Sequence, residues 1–150
     1  MVIAIDFDGT LCKHEYPKIG DELPGAIETC LKLQEEGHKL ILWTMRGNKF
    51  GATTLDEAVA WCKDRGLEFW GVNENPEQIQ SGWSNSNKQY AQLYIDDAAL
   101  GCPLNTDEYS DQPVVEGERP WVDWSAVKYQ LEEKRILTPP IKLKKAGKKK

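Results

Sequence analysis

Short apolar runs alternate with helical patterns along most of the chain. Four of these runs are nearly uninterrupted, as expected of strands that are buried on both faces. They are residues 2–5, 39–43, 67–72 and 93–95. Apolar residues at helical spacing occupy residues 24–36, 54–65 and 123–135, whereas the polar stretch 73–90 is predicted to be a loop. Because strand–helix–strand alternation is typical of parallel sheets, we predict an α/β fold of three layers with a Rossmann-like parallel sheet.

Length and charge set the domain organisation. The chain has 150 residues, enough for one domain, and a net charge of −5. Residues 140–150 hold six lysines and no acidic residue, so these six positive charges leave −11 for residues 1–139. We therefore predict an acidic domain over 1–139 and a disordered, lysine-rich tail over 140–150. The acidic domain disfavours nucleic acid as a partner, although the tail keeps that alternative open.

The cysteines and the N-terminus indicate the cellular compartment. Four cysteines lack C-x-x-C spacing and lie in predicted core elements, which favours reduced thiols over disulfides or zinc ligands. No apolar run approaches the ~18 residues of a membrane span, and the first residues do not resemble a signal peptide. These features predict a cytoplasmic protein that has no membrane partner.

Polar residues follow three of the predicted strands. Asp6 and Asp8 follow the first strand, Thr44 follows the second, and Asp96 and Asp97 follow the fourth. The carboxyl ends of parallel strands meet at one edge of a sheet, where ligands bind. Four carboxylates that meet there repel one another unless a cation is bound or some are protonated. Because Mg²⁺ prefers a few hard oxygen ligands together with phosphate oxygens, the pattern predicts a magnesium site for phosphate chemistry.

The same residues form an ordered set that resembles the four motifs of the haloacid dehalogenase superfamily of phosphatases. Residues 6–11 (DFDGTL) resemble the first motif, and residues 40–44 (LILWT) resemble the second. Lys88 stands where the lysine of the third motif is expected, and residues 94–97 (YIDD) resemble the acidic fourth motif. The resemblance spans residues 2–97 and implies a Mg²⁺-dependent hydrolase of phosphate esters.

The resemblance also implies a role for each matching residue. Asp6 would be the nucleophile that forms an aspartyl-phosphate, and Asp8 would be the general acid and base. Thr44 and Lys88 would bind and neutralise the transferring phosphoryl group. The implied phosphate-binding set is Gly9, Thr10, Thr44, Arg46 and Lys88, and the implied metal set is Asp6, Asp8, Asp96 and Asp97. Alignment of the apolar strand residues favours Asp97 over Asp96 as the direct ligand. A solvated loop residue is the alternative for Lys88 and for Arg46.

The spacing of the motifs leaves no room for a cap domain over the site. A capless, open site suits a large phosphorylated substrate, or a small one if a second copy of the chain covers it. The substrate itself is not predicted. Two alternatives to a general phosphomonoesterase remain: a 3′-phosphatase that acts on polynucleotide ends, and a non-catalytic phosphate-binding module.

Overall fold

A four-stranded parallel sheet forms the centre of the computed structural model, which describes residues 1–141. The strands are β1 (Val2–Ile5), β2 (Lys39–Leu42), β3 (Gly71–Val72) and β4 (Leu93–Ile95). Their order across the sheet is β3-β2-β1-β4, and all neighbouring pairs are parallel. Apart from residues 140 and 141, the predicted lysine-rich tail lies outside the described residues.

Helices flank the sheet. They are α1 (Ala26–Glu35), α2 (Thr54–Lys63), α3 (Pro76–Ser81) and α4 (Trp124–Glu133), with a short 3₁₀ turn at Lys49–Gly51. Right-handed crossovers put α1 and α2 on one face, because β1, β2 and β3 follow one another in one direction across the sheet. The chain then returns past β1 to β4, so the β3–β4 connection belongs to the opposite face. The predicted α/β class with a Rossmann-like parallel sheet is confirmed.

The two faces of the sheet are buried to different extents. The larger core contains Ile3 and Ile5 of β1 together with buried side chains from α1, α2 and α4. The opposite face has a smaller cluster of Val2, Ala4 and Ile41, against which half-buried aromatic residues pack. Successive strand residues therefore point into two different apolar environments, which accounts for the uninterrupted apolar runs.

Two predicted elements differ from the structure. The third strand is only Gly71–Val72. The Leu67 N–H instead closes helix α2 by bonding to the Cys62 carbonyl, and residues 68–70 connect the helix to the strand. The predicted loop 73–90 contains helix α3. The Asn75 side chain caps this helix by accepting hydrogen bonds from the N–H groups of Glu77 and Gln78, and a proline follows at the first helical position.

The segment before α4 is tied to the loop that follows β1. The Val122 N–H donates to the Gly9 carbonyl at 2.9 Å, and the Trp124 indole N–H donates to the Thr10 carbonyl at 2.5 Å. The Asp123 side chain caps α4. The four cysteines are free thiols, as predicted. Over residues 1–141, no helix is long and apolar enough to cross a membrane.

Candidate active site at the carboxyl edge of the sheet

A cavity of about 530 Å³ opens at the carboxyl ends of β1 and β4. The chain changes direction across the sheet between these two strands, and such a switch point is where open α/β sheets bind ligands. Six of the predicted site residues line this cavity: Asp6, Asp8, Thr44, Arg46, Asp96 and Asp97. The structure therefore brings together the carboxylates and the threonine that the sequence placed at three strand ends.

Three of the carboxylates form a cluster that could hold a metal ion. Oxygen atoms of Asp6, Asp96 and Asp97 lie within 4.8 Å of one another. Burial raises the pKa of Asp6 from 3.8 to about 8, and the negative charges of Asp96 and Asp97 add to the rise. Hydrogen bonds from the Phe7 backbone and the Thr10 hydroxyl act in the opposite direction. A cluster of hard oxygen donors with this unbalanced charge fits a divalent cation such as Mg²⁺.

Thr10 joins the first strand end to the fourth. Its hydroxyl group lies 3.1 Å from Asp6 Oδ2 and 3.4 Å from Asp97 Oδ1, and it accepts a hydrogen bond from the Asp97 N–H at 3.2 Å. The side chain is fully buried. Thr10 therefore positions two carboxylates of the cluster, whereas the sequence predicted it only as a phosphate-binding residue.

Asp8 is held by a buried ion pair. Arg46 donates two hydrogen bonds of 2.8 Å to the two carboxylate oxygens of Asp8. The same guanidinium donates to the backbone carbonyls of Pro17 and Lys18. Only 1% of the Arg46 side chain is exposed. The predicted alternative of a solvated loop arginine is therefore wrong. The N–H groups of Arg46, which were predicted to bind phosphate, instead hold Asp8, which lies 38 residues away in the chain.

His14 completes one wall of the cavity. Its Nε2 atom lies 2.9 Å from Asp97 Oδ2. Gly9 allows this approach, because its φ of 81° suits glycine and a Cβ there would collide with the His14 ring. Gly9 therefore shapes the loop that carries Asp6 and Asp8 and leaves room for the histidine, whereas its implied role in phosphate binding stays a prediction.

Thr44 lies between two adjoining cavities. Its N–H donates to the Asn73 side chain at 2.8 Å, and its hydroxyl oxygen accepts from the Arg46 N–H at 3.1 Å. The hydroxyl proton thus remains available to a ligand. A second cavity of about 300 Å³ shares Asp6, Thr44, Met45 and Asp96 with the first and is also lined by Trp43 and Asn73.

Lys88 lies away from both cavities. Its ammonium nitrogen is 5.9 Å from the centre of the Tyr94 ring, and Lys88 is not among the residues that line either cavity. Tyr94 packs on the face of the sheet that carries the smaller apolar cluster. The geometry therefore corresponds to the alternative of a solvated lysine rather than to a phosphate-binding one.

The structure adds cavity-lining residues to which the sequence assigned no site role, among them Tyr16, Asn73 and Arg119. Asn73 follows β3 directly, so it occupies a strand end like the predicted residues, and this position was a usable signal. Its positive φ of 52° also suits an asparagine. Tyr16 and Arg119 belong to irregular segments, where no periodic pattern indicates the direction of a side chain.

The chain is similar to a solved structure described as that of a conserved protein coded by a locus from Bacteroides thetaiotaomicron. The two chains are 40% identical, and the match covers 89% of this chain and 91% of the other, with a TM-score of 0.66. No family model matches the chain, and no curated protein matches it.

Proposed function

The chain belongs to the same family as the conserved Bacteroides protein, and we propose that it is a magnesium-dependent phosphomonoester hydrolase. The proposed enzyme is of the haloacid dehalogenase type, has no cap domain and acts through an aspartyl-phosphate on Asp6. The observation that carries the proposal is the convergence of Asp6, Asp96 and Asp97 at the switch point of a parallel sheet, beside Asp8 and Thr44.

The carboxylate cluster supports a resident magnesium ion. Asp6, Asp96 and Asp97 would hold it through side-chain oxygens, and the Asp8 carbonyl is the additional ligand that the motif resemblance implies. When bound, Mg²⁺ offsets the repulsion between the carboxylates and an incoming phosphate dianion. Thr10 and His14 contact Asp97 and would keep it oriented toward the ion.

The first chemical step uses Asp6 as the nucleophile. A carboxylate oxygen of Asp6 forms a bond to phosphorus while the bond from phosphorus to the ester oxygen breaks. The ester oxygen takes the bonding electron pair and receives the proton of Asp8, which enters this step protonated and leaves it as the carboxylate paired with Arg46, so that an alcohol leaves. Thr44 supports this step, because its hydroxyl proton is available for a phosphoryl oxygen.

The second step returns the enzyme to its starting state. A water oxygen attacks phosphorus, the bond to Asp6 breaks with its electron pair returning to the carboxylate, and Asp8 takes the proton lost by the water. Arg46 is a positioning residue for both steps, because it fixes both oxygens of Asp8. Each of these oxygens keeps a further lone pair for the proton that is transferred.

The open cavity bears on the substrate. Tyr16 is 63% exposed and Met45 fully exposed at its rim, so the side chains beside the site are accessible to a bulky phosphorylated molecule. The mechanism proposed here assigns no step to Lys88, because its side chain lies over Tyr94 and does not line either cavity. The cytoplasmic location and the homo-oligomer that could cover the site stay predictions.

Phosphate release from a generic aryl phosphate tests the proposal. We expect release with Mg²⁺, none with EDTA, and loss of release in Asp6→Asn, since an amide cannot form the aspartyl-phosphate. Asp64→Asn, at an exposed position after α2, is the matched control and should retain the activity. Failure of Mg²⁺ to bind, or full activity in Asp6→Asn, would refute the mechanism.

The same assay separates the two alternatives. Binding of a phosphorylated ligand with Mg²⁺ present and no release from any member of a sugar, nucleotide, polynucleotide and peptide phosphate panel would indicate a non-catalytic module. Turnover restricted to polynucleotide 3′ ends, with strongly salt-dependent binding, would indicate an end-processing phosphatase.

A further inference from the structure

Arg119 lines the larger cavity and has no assigned role in the chemistry proposed above. The residue is exposed, and within residues 1–141 its side chain forms no ion pair or hydrogen bond. An exposed arginine elsewhere on the surface would simply be solvated. This one lies in the wall of a cavity whose floor is made of carboxylates, so its position needs a physical reason.

The chain on both sides of Arg119 contacts the loop that carries the proposed nucleophile, through side chains on one side and through the backbone on the other. On one side, Glu118 forms an ion pair of 2.9 Å with Lys13. On the other side, the Val122 N–H bonds to the Gly9 carbonyl at 2.9 Å. Pro120 restricts the backbone of Arg119 to extended conformations. The arginine is therefore held beside the cavity, although it belongs to a long irregular segment.

Among the lysine and arginine residues of the described part of the chain, Arg46 and Arg119 line the larger cavity, and Arg119 is the one that remains available to a ligand. Arg46 already donates four side-chain hydrogen bonds, two to Asp8 and two to backbone carbonyls. Lys88 does not line the cavity. Arginine binds phosphate and carboxylate groups with two parallel hydrogen bonds, which favours an anionic ligand group at this position.

The two adjoining cavities indicate which part of the substrate Arg119 meets. Both contain Asp6 and Thr44, where the transferring phosphoryl group would lie, but Asp8 and Arg119 line only the larger one. Because Asp8 would protonate the ester oxygen, the departing part of the substrate must extend into the larger cavity. Tyr16 and Arg119 line that same cavity, so both can contact the departing part of the substrate.

We propose that Arg119 recognises a second anionic group on the departing part of the substrate. The preferred substrates are then phosphomonoesters whose alcohol carries a carboxylate or a further phosphate. This inference rests on the proposed hydrolase function for the direction of the substrate, and it adds the substrate class to that function.

Binding of stable phosphonates tests the inference without turnover. Isothermal titration with Mg²⁺ present would compare methylphosphonate with a phosphonate that bears a carboxylate and with one that bears a second phosphonate. We expect the wild type to bind at least one doubly anionic probe about tenfold more tightly than methylphosphonate, as one charge-assisted pair allows. The tighter of the two doubly anionic probes identifies the carboxylate or the phosphate as the preferred group.

Variants of Arg119 test whether the preference for doubly anionic probes depends on this residue. Arg119→Met should remove the preference while leaving the affinity for methylphosphonate unchanged, and Arg119→Lys should retain part of the preference. Lys63→Met is the control for net charge, because Lys63 is 69% exposed at the end of α2, and it should retain the full preference. Equal affinity of the wild type for all probes, weak binding of all of them, or an equal loss of affinity for all probes in Arg119→Met would overturn the inference. A preference that depends on Arg119 in a protein that hydrolyses no phosphate ester would refute the proposed function and the substrate class, and it would leave only the binding of a second anionic group by Arg119.

Discussion

Loss of the Arg46 side chain should destabilise the protein more than loss of any surface arginine. Arg46→Met keeps an unbranched side chain of similar length but removes the guanidinium that bonds Asp8 and the carbonyls of Pro17 and Lys18. The Asp8 carboxylate would then lie in the cavity wall without its partner, and only 18% of that side chain is exposed.

The burial of Arg46 and of its partners sets the size of the stability loss in Arg46→Met. Breaking a buried ion pair by removal of one partner costs about 3–5 kcal/mol. Asp8 borders an open cavity through which water can reach it, and Pro17 and Lys18 are exposed, so their carbonyls can bond to water instead. Because water can replace the lost partner at both places, we expect the lower end of this range, a decrease of about 3 kcal/mol in the free energy of unfolding. With an m-value of roughly 2 kcal/mol per molar urea, the unfolding midpoint should fall by about 1.5 M.

Urea unfolding followed by circular dichroism measures this change. Arg65→Met is the matched control, because Arg65 also pairs with a carboxylate, Glu22 at 2.7 Å, but about a third of its side chain is exposed. We expect the control to cost about 1 kcal/mol or less. Adding Asp8→Asn to Arg46→Met should recover part of the loss, because the uncompensated charge is then gone. A cost of Arg46→Met no larger than that of Arg65→Met would refute the reasoning.

Two further predictions concern the metal cluster. The pKa of Asp6 is about 8 in the folded protein against 3.8 ordinarily, so the folded state holds this proton more tightly and metal-free protein loses stability as the pH rises between those values. Because Mg²⁺ binds the ionised carboxylate, the rise in Tm that it produces should be larger at pH 8 than at pH 5, and an equal rise at both would contradict this. Gly9→Ala should weaken Mg²⁺ binding, since its Cβ would meet the His14 ring and lie 2.7 Å from Asp97 Oδ2. Gly37 is the control, because its φ of 87° is similar and a Cβ there would have no neighbour within 4 Å. Gly37→Ala should lose about 1–2 kcal/mol of stability in urea unfolding and no affinity in Mg²⁺ titrations.

The sequence was informative where a local pattern determines the structure. Uninterrupted apolar runs located the strands, and the polar residues directly after them located the carboxyl edge of the sheet. Once neighbouring strands are parallel, Asp6 must meet the Asp96–Asp97 pair, because the β1–β4 register places Ile5 beside Ile95, the residue before each. Helix α3 was missed because it is only six residues long and depends on the Asn75 cap and on contacts of the buried Gln78.

Contacts between distant residues were not predictable from such patterns. Arg46 follows the second strand, and only its direction in space shows that it turns to Asp8. The tether of Glu118 to Lys13 joins positions 105 residues apart, and neither residue belongs to a periodic element. Long charged side chains in irregular segments have many rotamers, so their partners are set by tertiary structure.

The loop after β1 explains how the fold tolerates a cluster of carboxylates at one edge. Thr10 is fully buried, and while its hydroxyl contacts Asp6 and Asp97, its backbone carbonyl accepts the indole hydrogen bond of Trp124. Trp124 is itself buried in the larger core at the start of α4. The repulsion among the carboxylates therefore acts on a loop that is anchored to the best-packed part of the molecule. Movement of the carboxylates away from one another would also break contacts in the core, so the cluster stays assembled. Its charge is then relieved by the proton that Asp6 retains or by a bound cation.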